Sequence, residues 1–132
     1  MPNFVVARHA DGRVVKGTSM DVDPSRPVCH VRTPEGVTVD VRLADLKALF
    51  FVKDLSGNAK YTDATRPDPA DARLRGARTI RVTFEDGETI VGITHHFPPT
   101  RAYYFVLPLD AASNNIRVLI NASRVKGVQP GP

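Results

Sequence analysis

Thr79-Ile80-Arg81-Val82-Thr83-Phe84-Glu85-Asp86-Gly87-Glu88-Thr89-Ile90-Val91-Gly92 reads as one β-hairpin. Ile80, Val82 and Phe84 alternate with Arg81, Thr83 and Glu85, the period-two pattern of a half-buried strand. Asp86-Gly87 supplies the tight turn. The chain carries this wording twice. Placing Asp11-Gly12 under Asp86-Gly87 also places Gly17 under Gly92, Pro24 under Pro99 and Arg26 under Arg101, at one constant offset. After a few additional residues in the later copy, Val118 and Ile120 fall over Val39 and Val41, and Val125-Lys126 over Leu46-Lys47. The pattern predicts two copies of one small β-unit.

Working outward, the first copy opens with Phe4–Arg8 as a strand, turns at Asp11-Gly12 and returns through Arg13–Gly17. Glycine inside a strand marks a bulge or a sharp bend. Val28–Arg32 is a third strand, and Val37, Val39, Val41 and Leu43 alternate with polar residues as the fourth. A helical turn over Ala44–Lys47 then leads to Ala48-Leu49-Phe50-Phe51-Val52, a strand apolar at every position. Five short strands with a helical turn before the last fit an SH3-like or Sm-like barrel. In the second copy, Glu88–Gly92, Ile93–Phe97, Ala102–Leu107, Ile116–Ile120 and Val125–Val128 continue the strand series, with Pro108–Asn115 a longer polar turn, Asn121-Ala122-Ser123 a short one and Pro130-Gly131-Pro132 a frayed tail. The expected fold class is all-β: two tandem small barrels, at 1–57 and 79–132, packed on each other and joined by a polar linker at 58–78, ordered in part around Tyr61.

Composition agrees with this. Eleven prolines and nine glycines in 132 residues favour turns over long helices. The net charge of +4 is spread thinly, with a modest cluster over Arg73–Arg81, whereas a dedicated nucleic-acid surface shows a denser stripe. One cysteine excludes an intramolecular disulfide framework. No secretory signal and no apolar run of membrane-spanning length is evident, so the cytoplasm is the expected compartment.

The second copy, from Val82 through Gly92, Pro99, Arg101, Tyr103-Tyr104-Phe105, Pro108, Asp110 and Ser113–Val118, resembles an uncharacterised bacterial family of deltaproteobacterial type. So does Leu43–Val52 in the first copy. The family looks like a small-barrel domain of unknown function, and some members lie beside signalling, pilus or secretion proteins. Ala102 stands where the pattern has glycine, and Tyr103-Tyr104 where it has two phenylalanines. The resemblance implies a fold and a bacterial context, but no activity.

No catalytic signature is present, and neither a metal site nor a cofactor is expected. His95-His96, read as strand neighbours, point to opposite faces and cannot readily chelate one ion. His9, His30 and Cys29 offer no ligand spacing, and nothing activates the Cys29 thiol. A cyclic-di-GMP receptor of the PilZ kind needs an Arg-x-x-x-Arg pair and Asp-x-Ser-x-x-Gly. Neither occurs, since Asp54-Leu55-Ser56-Gly57 brings its glycine early.

The candidate partner-binding residues are therefore Arg26 and Arg101, at matched loop positions, with Tyr103, Asn114, Asn115 and Arg117. For each arginine the competing reading is a brace on its own loop's carbonyls, and for the asparagines a hairpin turn. The expected function is a non-enzymatic interaction or adaptor module, with another protein as partner. The alternative is an Sm-like RNA- or DNA-binding module contacting phosphates through Arg73, Arg75, Arg78 and Arg81, with Tyr103 or Tyr104 as a stacking platform.

Overall fold

An apolar run such as Ala48–Val52 has no polar face to give to water, so both of its sides must be covered. In the computed structural model, which describes residues 3–57 and 62–131, that requirement sets the architecture. The strands are β1 (Asn3–His9), β2 (Val14–Ser19), β3 (Val28–Arg32), β4 (Thr38–Arg42), β5 (Leu46–Val52), β6 (Arg78–Phe84), β7 (Thr89–Thr94), β8 (Tyr103–Pro108), β9 (Asn115–Asn121) and β10 (Val125–Pro130). Single 3-10 turns at Leu43–Asp45, Ala72–Leu74 and Ala122–Arg124 interrupt them, and the described residues contain no α-helix. All ten strands form one antiparallel sheet in the order β10-β6-β7-β8-β9-β5-β1-β2-β3-β4.

The fold is all-β, as expected, but the sheet is open. The outer edges of β4 and β10 carry no ladder among the described residues. Instead of closing within its own half, β5 offers its second edge to β9, pairing Ala48 with Ile120, Leu49 with Leu119 and Phe50 with Val118. This central ladder is buried on both faces. Leu49, Phe51 and Leu119 join Val5, Ala7, Cys29, Val31 and Val41 in one core, with Tyr103 and Phe105 packed against it. Ala48, Phe50, Val52, Val118 and Ile120 turn the other way, to Ile80, Val82, Phe84 and Val106. Two cores thus lie on opposite sides of one wall, and each takes side chains from both halves of the sequence.

The ladders of the two halves run in the same register. Val5 faces Gly17 and Ile80 faces Gly92; Thr18 faces Arg32 and Ile93 faces Leu107. Val31 faces Val39 and Val106 faces Val118. The turn glycines Gly12 and Gly87 have φ of 97° and 92°, as their hairpins require. No bulge occurs at Gly17, nor at its counterpart Gly92: the ladders keep their register through both, and each glycine is buried where the next strand crosses over it. A Cβ on Gly17 would sit 2.1 Å from the Arg32 carbonyl oxygen, and one on Gly92 would sit 2.2 Å from Val106 Cγ1.

Several boundaries differ from the sequence reading. β7 is one strand that ends at Thr94, so His95–Phe97 lie in bends, not in a further strand. Leu109 and Ser113, expected in a polar turn, are buried. Pro130 is the last residue of β10, and the Gly131 N–H donates to the Thr79 carbonyl at 2.8 Å. Tyr61, expected to order the linker, lies outside the described residues, as does Pro132. The linker segment after it is clasped to the sheet: the Arg73 guanidinium donates to the Pro108 and Leu109 carbonyls at 2.8 Å each and pairs with Asp71 at 2.7 Å.

The two glycines give a stability test. Gly92→Ala is expected to lower stability by about 2 kcal/mol, within the roughly 1–3 kcal/mol of overpacking. Gly127→Ala, which meets nothing within 4 Å, should change it by less than about 0.5 kcal/mol, as open surface positions do. Urea melts of both variants check this, and indistinguishable midpoints would contradict it.

Candidate functional site

Where the halves meet, a chain of charge crosses the junction. Lys47 on β5 is almost covered, and its ammonium reaches Asp86 at 2.7 Å and also Glu88, both in the β6–β7 hairpin. It lies 4.8 Å from the centre of the Phe84 ring, within cation–π range. Burial disfavours the ammonium, yet the bonds to the two carboxylates outweigh it and the Lys47 pKa is raised. The bond from Lys47 in turn holds the Asp86 carboxyl below the usual carboxylate range. Arg8 on β1 reaches the same Glu88 at 3.4 Å and lies over the Phe50 ring at 5.1 Å.

Beside this network lie two grooves that share Arg8, Phe50 and Asn115. One, of about 250 Å³, opens between β7 and β8 and is lined by residues 63–65. The other, of about 300 Å³, runs between Val14 and Lys16 of β2 and the segment Leu55–Gly57. A third, shallower groove of about 430 Å³ separates β2 from the β3–β4 hairpin.

The candidate residues divide into those held by the fold and those left free. Asn114 is held: its side-chain N–H donates to the Asp54 carbonyl at 2.9 Å and its Oδ1 accepts the Asp54 N–H at 3.1 Å, fastening the turn before β9 to the end of β5. Asn115 lies in β9 opposite Val52, where the register shifts, and lines both junction grooves. Arg117 stacks between Phe51 and Phe105, 4.2 and 4.5 Å from the ring centres, over the first core. Tyr103 packs against that same core, and Tyr104 against the other. The Tyr104 hydroxyl is buried without a partner among the described residues, and burial pushes its pKa up to about 12.

Arg26 and Arg101 are both exposed. Arg26 approaches only Asp23, at 3.9 Å, and neither arginine bonds a loop carbonyl among the described residues, so the expected braces are not formed. Of the four candidate phosphate contacts, Arg73 is the one that acts as a brace. Arg75, Arg78 and Arg81 are exposed, with Arg78 lying 5.8 Å from the centre of the Phe97 ring.

No group of three His, Cys, Asp or Glu side chains suited to a metal ion occurs among the described residues. The Cys29 thiol is buried in the first core, and burial pushes its pKa up to about 11. His30 is exposed, with Nδ1 2.5 Å from Asp21 and Nε2 3.4 Å from Asp40. The hydrogen bond that His30 donates to Asp21, then the charge of Asp21, raise the His30 pKa.

Sequence reading missed Asn121, which it placed in a turn. The residue is 4 % exposed, and its side-chain N–H donates to the Leu46 carbonyl at 2.8 Å while Oδ1 accepts the Ser123 N–H at 3.1 Å. It ties the end of β9 to the 3-10 turn of the other half. Its signal was the Asn-x-Ser spacing of an Asx-turn, which says nothing about a partner so distant in sequence.

Residues 1–130 match the model of a family described as "Family of unknown function (DUF6982)". The chain belongs to this family. No curated protein and no solved structure matches it. The match extends over nearly the whole sheet, both halves included.

Two outcomes follow from the titrating groups. Cys29 should resist iodoacetamide at pH 8 in the native protein and react once urea unfolds it, as mass spectrometry would read; native labelling would contradict the buried position. The raised His30 pKa makes its contribution to stability fully present below about pH 6.5, the unfolded value, and lost as pH rises through the folded value. Asp21, whose pKa is lowered, loses its share only as pH falls through its own folded value. The Tm difference between wild type and His30→Ala should therefore be largest near pH 5–6 and shrink above neutrality; a gap that widens with pH would overturn the pairing.

Proposed function

We propose that the protein is a non-enzymatic interaction or adaptor module, built from two duplicated SH3-like or Sm-like units and working in the cytoplasm beside bacterial signalling, pilus or secretion machinery. The observation that carries the reading is the open sheet. Its terminal strands, β4 and β10, keep an outer edge without a ladder among the described residues, and Val37 beside β4 is 59 % exposed. Unpaired edges are where β-proteins add a partner's strand. The equal registers of the two halves support duplication, and the order β5-β1-β2-β3-β4, matched by β10-β6-β7-β8-β9, supports the small-barrel ancestry. The bacterial setting rests on the sequence resemblance.

The side chains that would serve nucleic acid are largely committed elsewhere. Arg73 holds the linker, Arg117 is stacked between rings, and Tyr103 and Tyr104 face the cores. What remains, Arg75, Arg78 and Arg81, is a small set for a ligand whose affinity comes from many phosphate contacts.

Fluorescence anisotropy with labelled single-stranded RNA and DNA separates the two readings. No binding is expected at tens of micromolar protein in low salt. Micromolar binding that falls steeply with salt would mean several phosphate contacts and would sink the protein-partner reading. In affinity capture from the native host, Val37→Lys should lower recovery of the partner severalfold with Tm unchanged; equal recovery would remove the β4 edge as the contact.

A further inference from the structure

The two halves carry the same groove under different cover. In the second half, β7 pairs with β8 only at Gly92–Pro108 and Ile93–Leu107, which leaves Thr89–Val91 without a ladder on that side. The gap is walled by Ile90 and Val91 on one side and Pro108, Leu109 and Asp110 on the other, over Val118. The chain's own Asp63-Ala64-Thr65 lines it, and the Ala64 N–H donates to the Asp110 carboxylate at 2.9 Å.

In the first half, β2 pairs with β3 only at Thr18–Arg32, so Val14–Lys16 are likewise without a ladder there. The walls are Val14, Val15 and Lys16 against Thr33, Pro34 and Glu35. Val39 takes the place of Val118. The shared register puts Val15 and Lys16 where the second half has Ile90 and Val91, and Glu35 where it has Asp110. Among the described residues, no linker residue lines this groove and the exposed Glu35 carboxylate has no hydrogen-bond or ion-pair partner.

We infer that the first-half groove docks an extended segment of another protein, with a small residue set between an acidic and a hydroxyl residue, as Asp63-Ala64-Thr65 is set in the second. The Glu35 carboxylate accepts the N–H of the small residue, as Asp110 accepts that of Ala64. The free edge of β2 supplies main-chain pairing, and Val15 and Val39 supply apolar contact. Lys16 replaces an apolar Val91 and adds a cation at the rim of the groove, its ammonium donating to the Leu55 carbonyl at 3.3 Å. The inference rests on the reading of the chain as an interaction module and names the chemistry of its partner.

The probe is a synthetic peptide copying residues 62–67, Thr-Asp-Ala-Thr-Arg-Pro, titrated into the ¹⁵N-labelled full chain. Amide shifts are expected at Val14, Val15, Lys16, Glu35 and Val39. Glu35→Gln, an exposed change that leaves the fold intact, should weaken binding about tenfold, the worth of one hydrogen bond to a charged group at the low end. A peptide N-methylated at its alanine should weaken it to a similar degree. No shifts at several millimolar peptide would overturn the groove, as would shifts confined to Ile90, Val91, Leu109 and Asp110, which would mean displacement of the chain's own segment. Concentration-dependent shifts at Val14–Lys16 without peptide would overturn it by assigning the groove to a second copy. A silent groove beside partner capture lost in Val37→Lys would remove this inference and leave the broader reading, whereas salt-sensitive RNA binding would remove both.

Discussion

The β5–β9 ladder must be apolar on both faces, and the rest of the molecule is arranged to cover it. Phe50 and Phe51 are neighbours in sequence and belong to different cores. A strand of this kind cannot leave either face wet; it needs a layer on each side. The first half covers one face and the second half the other. Burying large aromatic and aliphatic side chains is the dominant favourable term, and here it is gained only when both halves are in place.

Polar contacts then fix how the halves meet. Asn121 reaches across to the Leu46 carbonyl, Asn114 exchanges two hydrogen bonds with Asp54, and Lys47 is held by Asp86 and Glu88. The Asn121 contact is buried, where an unmade bond costs more than it returns when made. These contacts supply orientation more than energy. Two of the grooves, one in each half, lie where ladders stop: at Gly17 and Gly92 the next strand passes so closely that pairing beyond the crossing is lost.

Much of the fold was legible because it is written in periods and turns. The alternation at Val37–Leu43 and Ile80–Phe84, and the two Asp-Gly turns, report local geometry directly, so the strands fall close to their expected places. The open sheet was not legible. Whether β5 closes on its own half or pairs with β9 depends on two apolar strands far apart in sequence, and periodicity is silent about partners. The candidate site fared less well for the same reason. Arg73, Asn114 and Arg117 are surface-type residues whose roles are decided by carbonyls and rings from other elements, whereas Arg26 and Arg101 belong to loops and stay exposed.

The shared wall also governs the order of events as the chain is made. When β5 leaves the ribosome, β9 has not yet been synthesised, and an apolar edge of β5 has no strand to pair with. Unpaired apolar strands are the segments through which nascent chains associate wrongly. The final structure can lock only after the last third of the chain appears, so folding of the two halves is expected to be a single cooperative event, with its slow step in closing a long-range strand pair.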